Sequence, residues 1–130
     1  MNDGRRGATE ALFAKSSRTL NAARAVIEGG FYDDASSRAY YAAFHAVSAA
    51  LSSRGLFFTS HGQVLGTFNR EFVKTGLSPA EAFQKIRRLF EHRQVGDYSA
   101  TVSIDRATAE QDIADAEWIL EQCKALIEKS

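Results

Sequence analysis

Apolar residues along this chain recur at spacings of three and four rather than in alternation, a period that predicts helices throughout. Leu12, Ser16, Leu20, Ala23 and Ile27 form one such stripe, which predicts a first helix from Thr9 to Glu28, stopped by Gly29-Gly30. A second helix is predicted from Asp33 to Ser53, with Asp33 or Asp34 as its N-cap and Arg54-Gly55 at its end. Its alanines at 35, 39, 42, 43, 46, 49 and 50 cover several faces. A helix that is small and apolar nearly all round belongs at the centre of a bundle and permits close approach by its neighbours.

A third helix is predicted from His61 to Thr75, opened by Ser60 and Gln63 as a capping box and stopped by Gly76. Val64, Leu65, Phe68 and Phe72 form its apolar face. The fourth opens on Ser78-Pro79-Ala80-Glu81, read as serine N-cap, proline at the first helical position and glutamate completing the box. Phe83, Ile86 and Phe90 point inward, and the helix is expected to fail near Val95-Gly96, leaving Gln94 to Ser103 as the longest loop. The last helix is predicted from Asp105 to Lys129, with a stripe of Ala109, Ile113, Ala116, Leu120, Cys123 and Ile127. Trp118 lies off that stripe, which predicts a rim position or a dimer contact. Pro79 is the only proline and no hairpin signal occurs. The expectation is an all-α, up-and-down helical bundle of four to five helices, with residues 1–130 as a single domain.

Composition narrows the chemistry. With 130 residues and 45% hydrophobic content, the chain can build a core. Sixteen Lys and Arg balance 16 Asp and Glu, so net charge does not mark a nucleic-acid binder, though a local basic patch remains compatible. Arg87, Arg88, His92 and Arg93 are the densest such run. The single cysteine, Cys123, excludes an internal disulfide framework and a Cys-rich zinc site, and its place on the last stripe predicts core packing. Three histidines without ligand spacing predict no metal site, and neither a phosphate loop nor GxGxxG is present, so no cofactor is expected. No apolar run approaches the roughly 18 residues of a membrane span. The polar segment Met1 to Glu10 lacks a signal-peptide pattern, so a cytoplasmic protein without membrane association is expected.

Against this background Arg38, Tyr41 and His45 stand out. Arg38 and His45 are seven residues apart, close to two helical turns, with Tyr41 between them on the same face. Arginine matches phosphate oxygens bidentately, and histidine can accept or give a proton near neutral pH. The structural alternative is a neutral core His45 and an Arg38 paired with Asp34. His61, in the first turn of the third helix, either helps hold a phosphate at the positive helix end or is simply a residue of a capped turn. Arg93, Asp97 and Tyr98 form a second polar group. It is read either as a nucleotide- or RNA-phosphate site or as a loop-bracing Arg93–Asp97 pair with Tyr98 packed on the bundle.

In order, Arg38-x-x-Tyr41-Ala42-x-Phe44-His45-Ala46, Ser60-His61, Phe72-Val73-Lys74 and Arg93-x-x-Gly96-Asp97-Tyr98 resemble the HEPN family, and most closely its small stand-alone prokaryotic members. The resemblance covers nearly the whole chain. It implies a helical bundle that commonly forms a homodimer. Many members are metal-independent endoribonucleases with an Arg, four to six residues, then His, a spacing that Arg38 and His45 meet at its upper limit. Many such members are toxins encoded beside a minimal nucleotidyltransferase antitoxin. The resemblance therefore implies catalytic roles for Arg38 and His45 at a dimer cleft, with RNA or a nucleotide as ligand. Tyr41, His61, Arg93, Asp97 and Tyr98 are the substrate-binding candidates. The residue after the arginine is commonly polar in active members; here it is Ala39. That departure favours the alternative, a non-catalytic nucleotide- or partner-binding bundle working with a nucleotidyltransferase.

Overall fold

The computed structural model describes residues 2–130 and contains five α-helices and, among those residues, no strand. They are α1 (Asp3–Glu28), α2 (Tyr32–Ser52), α3 (His61–Phe68), α4 (Ala80–Tyr98) and α5 (Arg106–Glu128). α3 widens at its end into one π turn over Asn69–Val73. The α2 helix packs against each of the other four, as its alanine distribution requires. Ala35, Ala39, Ala42, Ala43, Ala46, Ala49 and Ala50 are all fully buried, while Tyr40, Val47 and Leu51 fill the larger gaps. Among the described residues no helix is long and apolar enough to cross a membrane.

Several helix ends differ from the sequence expectations, each for a local reason. α1 begins six residues early because Asn2 caps it, accepting from the Arg5 N–H at 2.7 Å. Neither Asp33 nor Asp34 caps α2: Phe31 occupies the N-cap, and Asp33 accepts instead from the Ile104 N–H at 2.7 Å, fastening the α4–α5 loop to α2. Ser60 does cap α3, accepting from the Gln63 N–H at 3.4 Å. At α4 the ψ of Pro79 is 152°, so proline is the N-cap rather than the first helical residue. The Ser78 hydroxyl is buried without a hydrogen-bond partner, not capping. α4 also continues through Val95-Gly96 to Tyr98, so the loop shrinks to residues 99–105. Gly96 is therefore no helix stop. A Cβ there would lie 3.3 Å from the Asp33 carbonyl oxygen and 3.4 Å from its Cα, so Gly96 lets α4 pass close to the start of α2. Asp105 caps α5 through the Thr108 N–H at 2.8 Å. The α5 stripe is buried at Ala109, Ala116, Leu120 and Cys123 and half-buried at Ile113 and Ile127. Trp118 packs half-buried against the core, with the Lys85 ammonium 5.4 Å from its ring.

The α4–α5 seam is ionic, which the apolar stripe did not indicate. Asp112 and Asp115 are 1% and 2% exposed. Asp112 accepts from the Ser36 hydroxyl at 2.5 Å and contacts His92 Nδ1 at 2.8 Å. Asp115 accepts from Lys85 at 3.0 Å, Arg88 at 3.3 Å and Gln111 at 2.9 Å. Buried carboxylates persist only when so supplied with donors. Asp112→Ala would strand the fully buried Ser36 hydroxyl and should cost about 1–3 kcal/mol in urea unfolding; adding Ser36→Ala should restore part of that loss. Glycines offer a second test. Gly96→Val should destabilise by about 1–3 kcal/mol through overpacking against Asp33. Gly66→Ala, on the exposed face of α3 with open space around it, should stabilise by about 0.5–1 kcal/mol. Equal effects of the two changes would contradict this packing.

Candidate functional site

Because alanines take the inward positions of α2, its polar side chains emerge along one edge. Arg38 is exposed, and Tyr41 and His45 are half-buried on the same face. The rings of Tyr41 and His45 lie 6.3 Å apart. Among the described residues no carboxylate pairs with Arg38, so the expected Asp34 partner is not engaged and the guanidinium is free at the surface. No hydrogen bond joins Arg38 to His45.

Two further elements converge on this edge. From α4, Arg93 donates to the Tyr41 hydroxyl at 2.9 Å. Its guanidinium carbon lies 5.3–5.7 Å from the rings of Tyr40, Tyr41, Phe90 and Tyr98, a cation enclosed by π faces. Asp97 completes the group as an i,i+4 ion pair at 3.8 Å and accepts from the Ser37 hydroxyl at 3.5 Å. Arg93 Nε remains buried without a partner. From the start of α3, His61 Nδ1 contacts the Tyr40 hydroxyl at 2.5 Å, and its ring stacks on Phe44 at 4.4 Å. Tyr40 is fully buried, and burial pushes its hydroxyl well above the ordinary tyrosine range, so it stays a neutral phenol.

Both histidines are held toward the neutral form. For His45 the pKa is lowered first by burial, then by Lys15 and His61; for His61, first by burial and then by Arg93. His45 also forms part of the wall of a cleft of about 580 Å³, lined on other sides by Lys15, Phe44, Phe57, Phe58 and Gln63. Among the described residues no group of three His, Cys, Asp or Glu side chains is arranged to hold a metal.

Of the residues singled out from sequence, Tyr41, His45, His61 and Arg93 thus meet in one neighbourhood. Arg38 lies along the same α2 edge one turn before Tyr41. Asp97 and Tyr98 are helical rather than in a loop, and both reach the site through Arg93. Tyr98 is 74% exposed, so the ring does not pack into the bundle as expected and lies beside the Arg93 guanidinium instead. The run Arg87, Arg88, His92, Arg93 is not one basic patch. Arg88 and His92 face Asp115 and Asp112, Arg87 pairs with Glu91 at 3.4 Å, and Arg93 turns to the opposite side. Spacing along the sequence offered no sign of Tyr40, Phe90 or Lys15, which enter the site only through contacts between helices.

The lowered histidine pKa values fix a sign for stability. Below about pH 6.5 the unfolded chain binds protons that the folded histidines resist, so stability falls as pH drops through that value. Asp112, raised chiefly by burial, acts in the opposite sense at lower pH. The difference between wild type and His45→Gln isolates the histidine contribution. The urea midpoint of the variant should fall less between pH 7.5 and 5.5 than that of wild type, and identical slopes would refute the assignment.

Residues 9–126 match the family model of the HEPN domain. A UPF0332 protein of Thermotoga maritima is 40% identical over 109 residues, covering 84% of this chain and 83% of that one. A Methanocaldococcus jannaschii protein named as a candidate toxin is 37% identical over 101 residues, covering 78% and 69%. The crystal structure of an archaeal HEPN homologue superposes with a TM-score of 0.74 at 22% identity, covering 92% of this chain and 97% of that one, and so shares the bundle. With the family model matched from the first helix almost to the end of the last, the chain belongs to the HEPN domain family.

Proposed function

We propose that this chain is a metal-independent endoribonuclease whose site is built from Arg38 and His45 of two copies. The observation that carries this reading is the α2 edge: an exposed arginine without a carboxylate partner stands two turns from a half-buried histidine held toward neutrality. A neutral His45 accepts the proton of a ribose 2′-hydroxyl as that oxygen attacks the adjacent phosphorus. Arg38 binds the non-bridging oxygens as charge builds on them. The 5′-oxygen leaves with a proton from the second copy's His45, which does this step as the imidazolium and ends neutral while the first ends protonated, giving a 2′,3′-cyclic phosphate and a free 5′-hydroxyl. One arginine and one histidine are too few for these three roles, and a two-fold dimer doubles them. Tyr41, braced by Arg93, and His61, bonded to Tyr40, are substrate-binding groups beside the pair. They supply the polar support that Ala39, fully buried, does not.

The reading extends to a toxin role with a nucleotidyltransferase-type antitoxin. It is supported by family membership and by relatives named as candidate toxins. Ala39 favours the second reading, a binding bundle without catalysis, and one assay separates the two. Purified protein and labelled mixed-sequence RNA are incubated in EDTA beside Arg38→Ala and His45→Ala. The expected result is cleavage that falls by at least about 10²-fold in each variant, the scale of a lost general base or charge-stabilising group, while RNA affinity changes little. Intact RNA with wild-type protein that is a stable dimer would turn the assignment to the binding module.

A further inference from the structure

We infer that the cleft beside His45 is a nucleobase subsite, taking one unstacked base of a single-stranded RNA next to the phosphate held at the α2 edge. This rests on the ribonuclease reading of that edge. One side of the cleft is built by the α2–α3 connection. Gly55, at φ +77°, turns the chain out of α2, and residues 56–59 then follow without regular secondary structure, alternating between half-buried and exposed. Leu56 and Phe58 pack against the core, and Phe57 and Thr59 take the outward register. Phe57 is thereby 59% exposed, an aromatic ring left in water although it lines the same cleft as Phe44 and His45.

The chemistry of the lining fits a base better than a purely apolar ligand. Phe57 offers an exposed ring, beside Phe44 and Phe58, on which bases of any identity stack. Ser48, Thr59 and Gln63 add donors and acceptors that can meet a base edge. Lys15 is the only fully charged side chain in the lining, and it lies near enough to His45 to lower that residue's pKa. A cation at that junction suits the phosphate joining a bound base to the reacting ribose. About 580 Å³ is ample for one nucleoside and too small for a folded segment. The subsite makes base stacking, rather than phosphate contact alone, the source of preference for single strands.

The test uses a short 2′-O-methyl RNA, which cannot be cleaved, and an abasic oligomer with the same backbone, each followed by fluorescence anisotropy. Wild type should bind the base-bearing strand about tenfold more tightly than the abasic one, the scale of one stacked base. Phe57→Ala and Phe57→Leu should both abolish that preference and leave abasic binding unchanged; circular dichroism confirms that each variant is folded. Leucine keeps apolar area without a π face, so its loss of preference would distinguish stacking from greasy burial. Undiminished preference in either variant overturns the subsite, as does a wild type that cleaves RNA yet binds both strands equally. If wild type binds neither strand and cleaves nothing, the ribonuclease reading falls as well.

Discussion

Alanine determines how near the neighbours of α2 can come. Seven alanines on that helix are fully buried, and each presents only a methyl group to the helix beside it. Four helices can therefore surround α2 at short range, and the core is closed by a few large groups such as Tyr40, Val47, Leu51, Phe68 and Phe72. Close packing of this kind tolerates little volume change, since protein interiors are as dense as organic crystals. It also governs where polarity can emerge. With most inward positions small and the rest apolar or aromatic, the longer polar side chains of α2 leave along the edge not covered by a neighbour, and that edge carries Arg38, Tyr41 and His45.

The bundle was largely legible from periodicity. The five helices, the central place of α2, the Ser60 cap and the buried Cys123 all follow from spacing and side-chain size. What could not be read were contacts made across helices. Asp33 reads locally as a cap, yet its carboxylate is taken by Ile104, seventy-one residues away in sequence. Gly96 reads as a terminator, yet it lies within α4 because α4 must pass close to the Asp33 backbone. In the candidate site, the shared face of Arg38, Tyr41 and His45 follows from helical geometry alone. The Tyr40–His61 bond and the aromatic enclosure of Arg93 join residues 21 and about 50 positions apart, which no local pattern encodes.

Charge is segregated by these long-range contacts. α4 carries its cations on two faces, and two buried aspartates of α5 engage those on one of them. Arg93, on the other, is surrounded by rings and pairs with Asp97. Rings attract a cation without neutralising it, so positive potential survives at the α2 edge while the α4–α5 seam is locally compensated. In a chain of zero formal net charge, Arg38 and Lys15 thus stand near this edge with no carboxylate paired to them among the described residues.

The lone thiol has a practical consequence. Cys123 is fully enclosed, and burial pushes its pKa far above the ordinary thiol range, so the nucleophilic thiolate is suppressed. The folded protein therefore presents a surface silent toward maleimides and iodoacetamides. A cysteine introduced at an exposed position becomes a unique chemical handle without any prior replacement of the native one, and labelling of Cys123 itself becomes a clock for opening of the core.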